Sequence, residues 1–162
     1  HLRNRRQRQM CIRDRVFIAQ TSTIVLMAVL IDTSIWISLL GKNLNNLKVD
    51  QDDLLRVVTC APVLQEIFQG LKTTKHSESL RDQLLAIPCL SDTIKLDLFL
   101  DAAEIYRTGR RKGHTIRSST DCLIAAIAIK HRIPVWHQDR DFRIISTFTT
   151  LEAHEGDYFP IE

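Results

Sequence analysis

Four acidic side chains fall where a chain of this pattern can bring them together: Asp32, Glu66, Asp121 and Asp139. Asp32 directly follows the branched apolar run Ile24–Ile31, and Asp139 follows Ile133–His137. Asp121 opens the apolar run Cys122–Ile129, and Glu66 lies in the segment behind Val57–Cys60. In an open parallel sheet, polar side chains gather in the crevice beyond the carboxyl ends of the strands. Carboxylates gathered there repel and raise one another's pKa. A divalent cation relieves that repulsion, and an all-oxygen donor set without His or Cys favours Mg2+ or Mn2+ over zinc. Such a cation keeps coordinated waters, one of which can attack a phosphodiester, and a second ion about 3.5–4 Å away can stabilise the leaving oxygen.

Each acid alone has a plainer role. Asp32 fits a turn or helix cap, Asp121 a first-turn acid complementing a helix dipole, and Asp139 and Asp141 the caps of a short helix. Glu66 lies about 130° around its helix from the stripe Val63, Leu64, Ile67, Phe68 and Leu71, so exposure is expected there. The metal reading rests on the joint arrangement. The hydroxyls of Thr33, Ser34 and Thr120 sit beside these acids and are expected to cap and orient them. His114 and His137 are expected to be structural or at the surface. Trp36 is expected to pack or to meet a partner helix.

The elements that must position these acids read as alternating strands and helices. Ile24–Ile31 is continuous and branched, as in a parallel strand covered on both faces. Ser34–Leu40 is a short helix ending at Gly41, and Asn43–Leu55 is polar and weakly helical. Val57–Cys60 is a second strand, and Pro62 suits a first helical position. His76–Ala86 is a further helix, and Ile87–Leu90 a strand or extended link in which Pro88 disfavours a central place. Asp92–Lys112 is the longest helix, with Asp92 in its first turn and Gly113 at its end. Ser118, Ser119 and Thr120 offer caps for Asp121–His131, a helix apolar on almost every side. Ile133–His137 is a third strand, Asp139–Ser146 a short helix and Phe148–Glu152 an edge strand. This alternation predicts a single α/β domain with a mostly parallel central sheet of four to five strands flanked by helices. The domain is expected over 24–154, with 1–23 an N-terminal extension outside the fold and 155–162 a C-terminal tail. A start at Met27 would open on M-A-V-L-I-D-T-S.

Composition narrows the class further. The 162 residues are 44% hydrophobic and 25% charged, with 5 Gly and 4 Pro, which excludes a disordered or linker-dominated chain. The net charge of +3 comes from the start of the chain. Residues 1–15 carry six Arg against one Asp, while the rest holds 16 basic and 18 acidic side chains. Bulk charge therefore gives the body no argument for nucleic-acid binding. Gln20–Thr23 breaks the apolar run near the start and leaves Ile24–Ile31, too short to span a bilayer. Cys11, Cys60, Cys89 and Cys122 form no C-x-x-C pair, so they are expected to be reduced apolar fillers in a cytoplasmic protein.

Four segments together resemble a known family. V-L-I-D-T-S-I-W-I-S-L-L (29–40), P-V-L-Q-E-I-F-Q-G-L (62–71), T-D-C-L-I-A-A-I-A (120–128) and I-P-V-W-H-Q-D-R-D-F (133–142) resemble the signatures of PIN-domain ribonucleases, above all the VapC toxins of toxin–antitoxin pairs. The resemblance covers about residues 27–154, with the four motifs in order. It implies an acidic quartet of Asp32, Glu66, Asp121 and Asp139 that binds Mg2+ (or Mn2+), with Asp141 at a supporting acidic position. It promotes Glu66 beyond what its helical position supports. It also implies a metal-dependent endoribonuclease toxin acting on RNA, a homodimer, a cognate antitoxin that occludes the site, and operator DNA bound only through that antitoxin. Positive charge must then meet the RNA backbone, and Arg110, Arg111, Lys112, Arg117, Arg140 and Arg143 are candidates by position. Trp136-His137-Gln138 departs from the Leu-Leu-Thr more usual there.

Other classes fit less well. A haloacid-dehalogenase-like phosphotransferase needs an Asp at position 34, which is Ser. A receiver domain needs a Lys after the last strand, and Ile133–Asp141 has none. A PIN nuclease of RNA processing outside any toxin pair, and a non-catalytic PIN-like interaction module, are the nearer alternatives. The intact quartet argues against the module.

Overall fold

The structure is a computed structural model that describes residues 28–41, 55–71 and 75–156. The expectations for 1–23, for 24–27, for the helical tendency of 43–54 and for 157–162 lie outside the described residues. Strand β1 is Val29–Ile31 and leads through Asp32 into helix α1, Thr33–Gly41. Strand β2, Val57–Cys60, runs directly into α2, Ala61–Gly70, with Pro62 in its first turn. Helix α3, Lys75–Leu85, precedes the two-residue strand β3, Cys89–Leu90. Then follow α4, Leu96–Arg111, α5, Ser119–His131, β4, Val135–His137, α6, Arg140–Ser146, and β5, Ala153–Glu155.

The five strands form one sheet in the order β3-β2-β1-β4-β5, and every pairing is parallel. A parallel sheet has both faces covered, which is why Val29, Leu30, Ile31, Val57 and Val135 are all buried without alternation. The order places β1 between the two halves of the sheet. The chain leaves β1 toward β2 and returns on its other side as β4, which makes the carboxyl ends of β1 and β4 the switch point where such sheets hold ligands. The ladder continues past β1, because the Asp32 amide donates to the Trp136 carbonyl at 3.0 Å. Asp32 is thereby fixed by the sheet itself, beside the exit of β4.

Among the described residues several boundaries shift by one or two residues, and two depart further from the sequence reading. Helix α4 begins at Leu96 rather than Asp92. The Asp92 carboxylate accepts from the Thr93 amide at 2.8 Å, a local bond that holds a turn in competition with the helix. Asp97 takes the first-turn position, accepting from the Leu98 amide. The last strand is Ala153–Glu155 rather than 148–152, and it crosses the expected domain edge at 154. Thr147 and Thr149 return their hydroxyls to the Ile144 and Ile145 carbonyls, so residues 147–150 prolong the end of α6 as turns. Pro88 sits as expected, just outside the short edge strand β3, where its carbonyl accepts from the Thr59 amide.

Helix α5 is the buried helix that its apolar run predicts. Cys122, Ile124, Ala125, Ala126, Ile127 and Ala128 are all in the core, and α4 packs along it. Gly109 lets α4 approach closely, because a Cβ there would lie 2.8 Å from Ile116 Cδ1. None of the described helices is long and apolar enough to cross a membrane.

Candidate metal and active site

The switch point gathers carboxylates from three segments that are distant in sequence. Asp32 and Asp121 are buried, Asp139 is about one-third exposed, and Asp141 is buried to 1% exposure. Carboxylate oxygens of Asp121, Asp139 and Asp141 lie within 4.8 Å of one another. Asp32 stands outside that triad of oxygens but close enough to press on Asp121 electrostatically. Asp121 registers the crowding: burial, then the charges of Asp32, Asp139 and Asp141, push its pKa up to about 7, against a hydrogen bond from Ser118. At neutral pH the metal-free site therefore holds Asp121 only partly ionised.

Short hydrogen bonds set each acid. Ser34 Oγ donates to Asp32 Oδ2 at 2.6 Å, and the Ser34 amide donates to the same oxygen at 3.0 Å. That hydroxyl also accepts from the Gln138 amide at 3.0 Å, so one serine ties the exit of β1 to the exit of β4. Thr33 Oγ1 donates to Glu66 Oε2 at 2.6 Å. This bond turns Glu66 toward α1 and leaves it half-buried, where its helical position predicts exposure. Thr33 and Ser34 thus each bond one of the acids. Thr120 lies in the first turn of α5, but the cap is Ser118, whose Oγ accepts from the Asp121 amide at 3.1 Å.

Asp141 has a larger place than a supporting acid. Its Oδ2 accepts from the backbone amides of Arg117 at 2.6 Å and Ser118 at 3.1 Å. Its own amide donates to Asp139 Oδ1 at 2.8 Å. The three acids are thus linked through the 117–118 turn. Nothing in the sequence around Asp141 reveals this, because its partners lie 23 and 24 residues away. Asp141 Oδ1 is buried without a hydrogen-bond donor.

The basic candidates separate by position. Arg117 reaches the acids, with its guanidinium 3.3 Å from Asp139 Oδ1 and 3.6 Å from Asp141 Oδ1. Arg111 pairs with Glu104, Arg143 with Glu155, and Arg110 lies over the Tyr106 ring. Lys112 caps the end of α4, and Arg140 is the exposed first residue of α6. His137 is core, tilted against Phe142 with ring centroids 5.3 Å apart, and burial lowers its pKa. Trp36 is buried as well. Burial pushes the Cys60 thiol up to about 12 and Cys122 up to about 11, which keeps both protonated and poor as metal ligands.

Ser34→Ala is expected to lower stability by about 0.5–1.5 kcal/mol, because one half-buried hydrogen bond to Asp32 is lost and the Gln138 amide loses its acceptor. Thermal unfolding of the metal-free protein measures this as a drop of a few degrees in Tm. An unchanged Tm would mean that the β1–β4 tie adds nothing.

Comparison with known proteins shows the family to which this fold belongs. Residues 29–147 match the PIN domain family. The chain is 37% identical over 130 residues to the VapC ribonuclease Mb1587 of Mycobacterium bovis, covering 77% of this chain and 96% of that protein. Among solved structures, VapBC-5 of Mycobacterium tuberculosis, a member of the VapBC family of toxin–antitoxin systems, superposes with a TM-score of 0.54 at 25% identity, covering 80% of this chain and 99% of that one. VapBC2 of Rickettsia felis, bound to a DNA fragment from its promoter, has the same fold at a TM-score of 0.60 and 20% identity, covering 81% and 100%. The chain belongs to the PIN domain family and, within it, to the VapC ribonucleases.

Proposed function

We propose that this protein is a metal-dependent endoribonuclease, the toxin of a VapBC-type toxin–antitoxin pair, with its PIN domain over 24–154. The observation that carries the reading is the meeting of Asp121, Asp139 and Asp141 within 4.8 Å, with Asp32 pressing on Asp121, at the switch point of the sheet. The residues fit a hard divalent cation: the donors are all carboxylate oxygen, and Asp141 Oδ1 is buried with no donor of its own. Asp121, Asp139 and Asp141 would hold Mg2+ (or Mn2+) together with Asp32, and Glu66 would complete the set directly or through water. When bound, the cation supplies neutralising charge, a Lewis acid for the phosphoryl oxygens and a lower pKa for water.

The chain's own groups do the rest. A carboxylate of the cluster takes the proton of the attacking water as its oxygen bonds to phosphorus and the P–O bond to the leaving nucleotide breaks. Thr33 holds Glu66, and Ser34 holds Asp32, in fixed directions, so no reorganisation is needed at the moment of reaction. Arg117, which lies at the acids, is the cation best placed for the RNA backbone, with Arg110, Arg111, Lys112, Arg140 and Arg143 as further candidates for the positive rim. VapBC-5, a member of a toxin–antitoxin family, and VapBC2, bound to a promoter DNA fragment, support a cognate antitoxin as partner. A homodimer, operator DNA reached only through that antitoxin and a cytoplasmic setting complete the proposal and rest on the resemblance to VapC toxins alone.

The test is metal removal. Purified protein with single-stranded RNA is expected to cut in millimolar Mg2+, to lose at least about 10²-fold of that rate in excess EDTA, and to regain it when Mg2+ is restored. Cutting that persists unchanged in EDTA would overturn the metal assignment. No cutting of any cellular RNA pool in Mg2+ would overturn the enzyme.

A further inference from the structure

We propose that Arg117 is the resident cation of the acid cluster in the metal-free protein, and that it turns to the RNA phosphate once a divalent cation occupies the site. The inference rests on the cation-binding reading above. Its guanidinium lies 3.3 Å from Asp139 Oδ1 and 3.6 Å from the otherwise unpartnered Asp141 Oδ1. Asp139 and Asp141 are two of the three acids whose oxygens come within 4.8 Å. A side chain and a dissolved cation cannot both be the counter-ion of the same oxygens at full strength.

The side chain is free to leave. It is 62% exposed, so its ion pairs are screened and weak. The backbone beneath it is not free. The Arg117 and Ser118 amides are both held by Asp141 Oδ2. The hinge is therefore fixed, and only the guanidinium moves. Once the acids are neutralised by the bound cation, nothing holds Arg117 on them, and like charge repels it. A guanidinium a few ångströms from the reaction centre is then placed to fork onto a phosphate.

Removing the charge has opposite effects on the two ligands. Arg117→Ala is expected to tighten Mg2+ binding about 3–10-fold, because a competing positive charge is gone. The same variant is expected to raise KM for RNA about 5–20-fold at saturating Mg2+, because a phosphate contact is lost. Arg117→Lys keeps the charge and should lie between. Mg2+ affinity is read by calorimetry on the full chain without RNA, and KM by cleavage of a labelled single-stranded RNA. Tm in chelator checks that Arg117→Ala keeps its fold.

Weaker Mg2+ binding in Arg117→Ala would mean that the residue merely supports the site, and would overturn the proposal. So would both quantities staying at wild-type values, the result for a solvated side chain. A wild-type protein that binds no divalent cation would overturn the metal reading itself, whereas wild-type binding and cleavage with an indifferent Arg117→Ala would sink this proposal alone.

Discussion

Asp121→Asn is expected to lower RNA cleavage by about 10³-fold or more and, in the same protein, to make the metal-free fold more stable at pH 8. Both effects come from one group. Asp121 is buried beside Asp32, Asp139 and Asp141, which raises its pKa from the ordinary 3.8 to about 7. A carboxyl raised on folding favours the fold fully below its unfolded pKa, and that contribution is lost as pH rises through the folded value. In the window from about pH 4 to about pH 7, the metal-free wild type thus gives up roughly 2–4 kcal/mol to the charging of this one side chain. Asparagine does not titrate, so the variant avoids that loss. Its Tm should exceed that of the wild type by several degrees at pH 8 in chelator, and the gap should close toward pH 4. Cleavage fails because an amide oxygen is a weaker cation ligand than a carboxylate and brings no charge. A variant that stays active, or one that is less stable than wild type at every pH, would show that Asp121 is an ordinary helix-cap acid.

The second large effect is predicted at Asp141. Asp141→Ala removes the acceptor of two backbone amides, those of Arg117 and Ser118, from a position of 1% exposure. Each amide left without its acceptor in this half-buried turn costs about 1–3 kcal/mol. Relief of the repulsion on Asp121 offsets only part of this, because Asp141 comes after burial, Asp32 and Asp139 among the causes that raise that group. A net loss of about 2–4 kcal/mol is expected, a fall in Tm of roughly 5–15 °C for a chain of this length. Activity should fall with it, since Ser118, which caps the helix carrying Asp121, sits on the same turn. Asp141→Asn keeps an acceptor for both amides and should recover most of the stability. Equal losses in the two variants would mean that the charge of Asp141, and not its hold on the 117–118 turn, is what the fold needs.

Much of this was legible in the chain. The uninterrupted burial of β1 follows from its branched apolar run, and the parallel sheet from alternating elements. The positions of Asp32 and Asp139 follow from sitting just beyond strand ends, and the deep packing of α5 from its apolar circumference. What was not legible was contact across long separations. Glu66 reads as exposed on its own helix, because amphipathic spacing reports only which face meets the core. Its bond to Thr33 depends on α2 lying against α1, which no spacing within either helix encodes. Asp141 reads as a local cap for the same reason, although its oxygens serve a turn more than twenty residues earlier. The misplaced start of α4 and the misplaced β5 have a local cause. Asp92 and the threonines at 147 and 149 carry side chains that bond their own backbone, and propensity alone does not decide that competition.

The acids at the switch point are crowded together in a way that a divalent cation would make tolerable. Calorimetric titration of Mg2+ into the metal-free protein, repeated at pH 8, 7 and 6 in buffers of different ionisation enthalpy, tests this directly. Saturable binding is expected at pH 8, with weaker binding and growing proton release as pH falls through 7, and no such linkage in Asp121→Asn. Absence of binding at pH 8, or binding of the same strength and proton count in Asp121→Asn, would contradict it.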